Sequence, residues 1–265
     1  ATMRYTIVDA FTSSKFGGNP AAVCVLEQSY NDELLQSLAA EFNLSETAYL
    51  SKRAEGEWDL RWFTPLREVN LCGHATLASA HALWSQGLEN GDNIRFHSRS
   101  GCLLVSRNDG RICMDFPRTE TQEQQHVGEA VKNAVAGFVS VADAREDVLV
   151  ELPNAEAVAG FVPDFAALAA IPVRGVIITA AGDDCDIVSR FFAPRFGINE
   201  DPVTGSAHCA LADYWARRLG KAEFSARQLS PRGGELSVAL RDQRVLLFGQ
   251  AVTTMAGEVL AIPHR

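Results

Sequence analysis

One short pattern occurs twice, and it constrains the fold more than anything else in the chain. Phe63-Thr64-Pro65 leads through a polar loop to Asn70-Leu71-Cys72-Gly73-His74-Ala75-Thr76 and an apolar helical run, Leu77–Trp84. Phe192-Ala193-Pro194 leads through a polar loop to Gly205-Ser206-Ala207-His208 and a second helical run, Leu211–Leu219. The shared order is Phe-X-Pro, loop, Gly-polar-Ala, helix. Each run stops near a glycine, Gly87 or Gly220, as a helix C-terminus does. The copies start about half the chain length apart, which points to a duplicated α+β unit with two helix N-termini facing a shared site. A loop of small residues running into a helix leaves backbone N–H groups unpaired and favours bound negative charge.

Ala75–Trp84 has almost no polar face, so this helix is expected to be buried on most sides, with a curled sheet around it. Strands are expected at Arg4–Val8, Ala21–Leu26, Ala48–Leu50 and Trp58–Phe63, with a helix over Glu33–Glu41 capped by Asn31-Asp32. Three antiparallel strands follow at Ile94–His97, Gly101–Ser106 and Arg111–Phe116, the last two joined by the turn Asn108-Asp109-Gly110. The second half repeats the theme less cleanly, with strands at Val173–Ala180 and Ile187–Phe192. Four more fill Glu223–Leu229, Glu235–Leu240, Val245–Phe248 and Ala251–Thr254. Pro117 and the polar stretch Arg118–Gln125 mark the expected boundary. An N-terminal domain, 1–117, carries Glu46, Gly73 and His74, and a C-terminal domain, 118–265, carries Asp201, Gly205 and Ser206. The last strand is expected to cross back to the first domain.

The composition, 47% hydrophobic and 22% charged in 265 residues, is that of an ordinary globular chain. A net charge of −9 with no Lys/Arg run argues against nucleic acid and against acidic membrane surfaces. No apolar run approaches the ~20 residues of a membrane span, and no leader pattern suggests secretion. Ala1-Thr2 ahead of Met3 reads as a cloning remnant. The six cysteines are scattered, without metal spacing, and read as reduced thiols of a cytoplasmic protein. No phosphate-loop or dinucleotide motif is present, so ATP and NAD are not expected.

Glu46 enters an apolar strand, Ala48-Tyr49-Leu50, where partial desolvation would raise its pKa and suit it to proton exchange. A capped or exposed glutamate at a strand start is the plain alternative. His74, at a helix start, would be held neutral and could orient a substrate or pair with a carboxylate. Asp201, beside Glu200, is a candidate partner for it. Gly205, Ser206 and Gly73 could offer backbone N–H and hydroxyl groups to a substrate carboxylate. His208, one turn into its helix, reads as packing. Cys72 beside a helix N-terminus is the tempting thiol. The matching places in the other half are Thr204 and Ser206, so a two-thiol racemase mechanism looks broken, and an inert buried Cys72 is the simpler reading.

Several of these stretches together resemble one family. They are Asp9-Ala10-Phe11-Thr12 with Phe16-Gly17-Gly18-Asn19-Pro20-Ala21-Ala22-Val23, then Asn43-Leu44-Ser45-Glu46-Thr47-Ala48. Arg61-Trp62-Phe63-Thr64-Pro65 follows with Leu71-Cys72-Gly73-His74-Ala75-Thr76-Leu77-Ala78, and lastly Arg190-Phe191-Phe192-Ala193-Pro194 with Glu200-Asp201-Pro202-Val203-Thr204-Gly205-Ser206-Ala207-His208. In this order, over nearly the whole chain, they resemble the phenazine-biosynthesis isomerase (PhzF-like) family of the diaminopimelate epimerase-like superfamily. The resemblance implies two similar α+β domains, each a barrel-like sheet around a central helix, with the active site in the cleft between them. It implies an enzyme, commonly a homodimer, without metal or cofactor. In the phenazine member a glutamate matching Glu46 shifts a proton on trans-2,3-dihydro-3-hydroxyanthranilate. Residues matching His74 and Asp201 assist, Gly73 and Ser206 stand where the epimerases carry cysteines, and Ser45 joins Gly73, Gly205 and Ser206 in holding substrate.

The expected function is therefore proton-shifting isomerisation or epimerisation of a small carboxylate-bearing, amino-acid-like or cyclic molecule. Two rivals remain: a racemase assisted by Cys72, and a non-catalytic metabolite-binding or interaction module on the same scaffold.

Overall fold

β1 (Met3–Ala10) and β2 (Asn19–Leu26) run antiparallel, with Tyr5 opposite Cys24 and Asp9 opposite Pro20. The turn between them needs a glycine at Gly18. Its φ is +62°, and a Cβ there would sit 2.2 Å from the Ala10 carbonyl oxygen. α1 (Asp32–Phe42) starts where Asn31 Oδ1 accepts the Leu34 N–H at 2.8 Å, and it stops at Asn43 in the left-handed region. The crossover through α1 sets β3 (Glu46–Ala54) parallel to β2, with Glu46 opposite Ala21. β4 (Glu57–Phe63) pairs antiparallel with β3, and the short β5 (Glu68–Val69) pairs with the end of β4.

α2 (Gly73–Ser85) follows. It buries every residue from His74 to Ala80, along with Ala82 and Leu83, and packs on β1, β2 and β3. Leu77 and Leu83 are fully enclosed, worth about 1.5–3 kcal/mol each by area removed from water. The alanines let the strands approach closely. β6 (Asn93–Ser98) returns parallel to β4, and β7 (Gly101–Asn108) and β8 (Arg111–Pro117) complete the meander. Asp109 and Gly110 both take positive φ, as a two-residue hairpin of matching twist requires.

The chain then repeats this order. β9 (Gln122–Glu123) pairs with β10 (Ser140–Ala144), with α3 (Glu129–Ala134) between them. β10 pairs antiparallel with β11 (Asp147–Glu151), and α4 (Ala155–Ala159) and α5 (Phe165–Ala169) carry the crossover to β12 (Val176–Ala181), parallel to β11. β13 (Ile187–Ala193) pairs with β12 and with β14 (Ile198–Asp201). α6 (Gly205–Leu219) leads to β15 (Glu223–Gln228), parallel to β13, and then to β16 (Gly234–Arg241) and β17 (Arg244–Gly249). β18 (Ala251–Val259) runs antiparallel to β1.

These elements come from a computed structural model that describes residues 2–260 and residue 262. They fall into two compact units, the first running to Asp115 and including the segment from Phe248 onward, the second Phe116–Leu247. Each unit is mixed α+β and mostly sheet, with one long helix, α2 or α6, among the strands. Among the described residues no helix is long and apolar enough to cross a membrane.

Between Val127 and Ile171 the second unit holds elements for which the sequence gives no expectation. Two strands and three helices of five or six residues lie there. Such helices span less than two turns, so they carry no apolar period that could be read. The polar stretch after Pro117 is firmly held. The buried Asp213 of α6 accepts from Arg118 Nε at 2.7 Å and from the Thr121 N–H and hydroxyl at 2.8 and 2.6 Å.

Candidate active site

In each unit the chain reaches its long helix through a hairpin pinned by an arginine. Arg61 of β4 grips Glu68 through Nε and Nη2 at 2.8 and 2.9 Å and lies over Phe63. Arg190 of β13 grips Glu200 at 3.0 and 2.8 Å and lies over Phe192. Forked arginine–carboxylate pairs of this kind fix both distance and angle. Glu200 is therefore spoken for by Arg190.

Beyond the hairpins come the two uncapped helix starts. Asn31, Asn154 and Asp164 cap α1, α4 and α5 with their side chains, whereas Cys72 and Thr204 give α2 and α6 no such bond. Threonine is a good capping residue, but the Thr204 hydroxyl donates to Asp201 Oδ2 at 2.5 Å instead. First-turn N–H groups are thereby left to meet another acceptor.

The first unit brings Glu46, His74 and Cys72 together. Glu46 opens β3, its side chain 13% exposed, and Oε2 lies 3.3 Å from Nε2 of the buried His74. Nδ1 of the same ring lies 3.3 Å from Cys72 Sγ. Burial pulls the His74 pKa down to about 3, more than the nearby Pro20 carbonyl can offset, so the ring is neutral at pH 7. A neutral imidazole has one N–H and one lone pair. Cys72 Sγ is within hydrogen-bond reach of Nδ1, whereas Nε2 and Glu46 Oε2 approach to 3.3 Å without the alignment of a hydrogen bond. Ser45 lies alongside, its hydroxyl donating to Asn19 Oδ1 at 3.2 Å. Gly73 is the first residue of α2.

The donor atoms of Glu46, Cys72 and His74 lie within 4.8 Å of one another, close enough to consider a metal. The same three groups suit either an ion held among them or the exchange of a proton.

The second unit gathers Asp201, Gly205 and Ser206 around the start of α6. Gln228, buried at the end of β15, accepts the Thr204 N–H at 2.8 Å and donates to the Asp201 carbonyl and to Thr204 Oγ1 at 2.9 and 3.2 Å. Ser230 donates to the Pro202 carbonyl at 2.8 Å. His208 lies at the place of Thr76. Both turn back to the carbonyl of the residue before the helix, Nδ1 of His208 to Thr204 at 2.8 Å and the Thr76 hydroxyl to Cys72 at 2.7 Å. Burial lowers the His208 pKa to about 4. Gln228, Asn19 and Arg174, whose Nη2 donates to Ser206 Oγ at 3.1 Å, were not singled out from the sequence. The only signal for Arg174 was its place in the repeat, at the start of the strand that follows the parallel crossover, as Glu46 is in the first unit.

A family model described as phenazine biosynthesis-like protein matches residues 8–257. A protein of Pseudomonas aeruginosa named as an uncharacterised isomerase is 51% identical over 255 residues, spanning 95% of this chain and 96% of its own. The crystal structure of a PhzF-family phenazine biosynthesis protein of Enterococcus faecalis is 41% identical and superposes with a TM-score of 0.95 over 98% of this chain and all of that one, a coverage of 100%. A hydroxyproline epimerase of Agrobacterium vitis, 11% identical, shares the fold with a TM-score of 0.63 over 97% of this chain and 92% of its own. The epimerase-like α+β fold expected from the resemblance is borne out, and the chain belongs to the phenazine biosynthesis-like (PhzC-PhzF) family.

Proposed function

We propose that this chain is a cofactor-independent isomerase or epimerase that moves a proton on a small carboxylate-bearing, amino-acid-like or cyclic substrate. Glu46 is the general acid/base. As carboxylate it takes a proton from a C–H bond whose electron pair stays on the substrate, and as acid it returns that proton at another carbon or on the other face. His74, kept neutral by burial and contacted by Cys72 at Nδ1, lies 3.3 Å from Glu46 Oε2, so the carboxylate has no competing cation at that edge. Asp201, tied to Thr204, is the assisting carboxylate of the second unit. Gly73, Ser45, Gly205 and Ser206 hold the substrate and the charge that develops on it.

The observation that carries this reading is the 3.3 Å approach of Glu46 Oε2 to Nε2 of a buried, neutral His74. The test is deuterium exchange in D2O with a panel of small amino and hydroxy acids, trans-2,3-dihydro-3-hydroxyanthranilate included, followed by proton NMR. Exchange that disappears in Glu46→Gln, with the protein still folded by circular dichroism, supports the assignment. Exchange that persists in that variant overturns it. Activity unchanged after dialysis against a chelator, and a sedimentation mass of two chains, are the matching expectations for cofactor and assembly.

One observation favours a second reading. Cys72 Sγ lies 3.3 Å from His74 Nδ1, the arrangement that activates a thiol for racemase chemistry. Loss of exchange on thiol alkylation, with Glu46→Gln still active, would decide for it.

A further inference from the structure

Arg174 sits just ahead of β12, its backbone N–H donating to the Glu146 carbonyl at 2.7 Å. Its Nε and Nη2 grip the buried Asp147 carboxylate at 2.9 and 2.6 Å. The guanidinium carbon lies 5.7 Å from the Phe191 ring centre. That ring is itself pressed on Gly175, where a Cβ would come within 2.2 Å of Phe191 Cζ. A fork held by a bidentate carboxylate and by an aromatic ring cannot swing to follow a ligand. Its charge is fixed in place, although 37% of the side chain stays exposed.

The bond from Nη2 to Ser206 Oγ has a directional consequence. A hydroxyl oxygen that accepts from a cation keeps its own proton to give away. Neither that proton nor Nη1 has a partner among the described residues. Asp201, whose negative charge acts on Arg174, takes the Thr204 proton instead. The start of α6 thus presents an N–H pair and an O–H, all donors, beside a fixed positive charge. Such a set suits an acceptor with two oxygens and a negative charge, and it gives nothing to an amide nitrogen.

We propose that Arg174 is the specificity-determining and positioning residue of the second unit: it turns the Ser206 hydroxyl into an outward donor and selects a substrate carboxylate over the corresponding amide or ester. This deepens the proposed function and rests on its reading of the substrate as carboxylate-bearing. Arg174 acts on binding rather than on the proton shift, so its loss raises KM far more than it lowers kcat.

The test uses acetate as a carboxylate probe and acetamide as its neutral counterpart, titrated at constant ionic strength while the backbone amide signals of Gly205 and Ser206 are followed by NMR. Acetate is expected to shift both signals saturably, and acetamide to leave them in place. Arg174→Met is expected to weaken acetate at least tenfold. Arg174→Lys, which keeps the charge without the fork, falls between, and Ser206→Ala weakens it severalfold. Because Arg174→Met strands the buried Asp147 carboxylate, the paired variant Arg174→Met with Asp147→Asn guards against simple misfolding and is expected to lose acetate equally. Acetate affinity unchanged in these variants, acetamide binding as well as acetate, or no response in the parent protein each overturns the proposal. Arg174-dependent acetate binding without exchange on any compound of the D2O panel would sink the proposed function and leave this inference standing. Exchange with acetate binding indifferent to Arg174 would do the reverse.

Discussion

The two units share a topology and differ in the charge that meets the second residue of the long helix. In the first unit that residue is His74, and the strand after the parallel crossover brings it Glu46, an acid. In the second it is Ser206, and the equivalent junction brings it Arg174, a base that stays charged. The duplicated frame thus carries opposite equipment. In the proposed function the first unit accepts and returns protons through Glu46. In the same proposal the second holds a negative group through Arg174 and Ser206, with Asp201 as its carboxylate. A symmetric racemase places like groups at both ends, and this chain departs from that arrangement at both positions.

The largest expected effects come from breaking this division directly. Glu46→Gln keeps the shape and removes the proton acceptor. It is expected to slow deuterium exchange by about 10²- to 10⁴-fold, the usual worth of a positioned acid/base, with substrate affinity little changed. Ser206→Ala is expected to raise KM roughly tenfold, the scale of one charge-assisted hydrogen bond, while kcat moves much less. Should Ser206→Ala cut kcat as deeply as Glu46→Gln, the two ends share the chemistry and the contrast is wrong.

The hairpin clamps allow a finer comparison on stability. Arg190 is 9% exposed and is Glu200's partner, with its third nitrogen given to the Val158 and Phe161 carbonyls. Arg61 is 32% exposed, and Glu68 has Arg99 as a second cation at 2.8 Å. Stranding a buried partner costs about 3–5 kcal/mol, whereas an exposed pair is worth about 1 kcal/mol or less. Arg190→Met is therefore expected to lower stability by several kcal/mol in urea unfolding, and Arg61→Met by about 1 kcal/mol. Equal losses would mean that the second clamp is no more deeply built than the first.

Much of this frame was legible in the residues. The repeat of Phe-X-Pro and Gly-polar-Ala located both long helices, because glycines and an unbroken apolar run are local signals. The Asn31 cap and the Asp109-Gly110 hairpin were readable for the same reason. Glu46 and His74 could be named separately as proton-active groups. Their approach across the unit, one from a strand start and the other from a helix start, is a tertiary fact that no spacing encodes. Arg174 was hidden further. It stands in an unremarkable Val-Arg-Gly turn, absorbed into an expected strand over Val173–Ala180, and its partners Asp147 and Ser206 are distant in sequence. The short helices α3, α4 and α5 were lost because they complete too few turns to show a period.

Acid stability separates the units again, with a smaller effect. Both His74 and His208 are neutral when buried and return to an ordinary value near 6.5 when the chain unfolds. Below pH 6.5 the unfolded chain therefore binds protons that the native chain refuses. The stability each histidine contributes is complete above pH 6.5 and is lost as the pH falls toward about 4 for His208 and about 3 for His74. One refused proton is a slope of about 1.4 kcal/mol per pH unit. His208→Gln and His74→Gln should each flatten the fall in unfolding free energy by up to that slope between pH 6 and pH 4.5, conditions read by urea titration. Variants that follow the parent slope would show that the buried rings take up protons while folded.

Cys72 and Thr204 occupy the same place before α2 and α6, and neither caps its helix. Each instead meets a proton-handling group, Cys72 the His74 ring and Thr204 the Asp201 carboxylate. If both serve to orient, their removal should cost little and cost alike. Cys72→Ser keeps a donor for Nδ1 and is expected to leave the exchange rate within about threefold of the parent. Cys72→Ala and Thr204→Val, which remove one hydrogen bond each, are expected to lose about fivefold, near 1 kcal/mol of orientation. The serine variant makes the comparison decisive, because a hydroxyl can orient an imidazole but cannot replace a thiol as a base. Exchange abolished in Cys72→Ser, with Thr204→Val mild, would move the chemistry of the first unit from the carboxylate to sulfur.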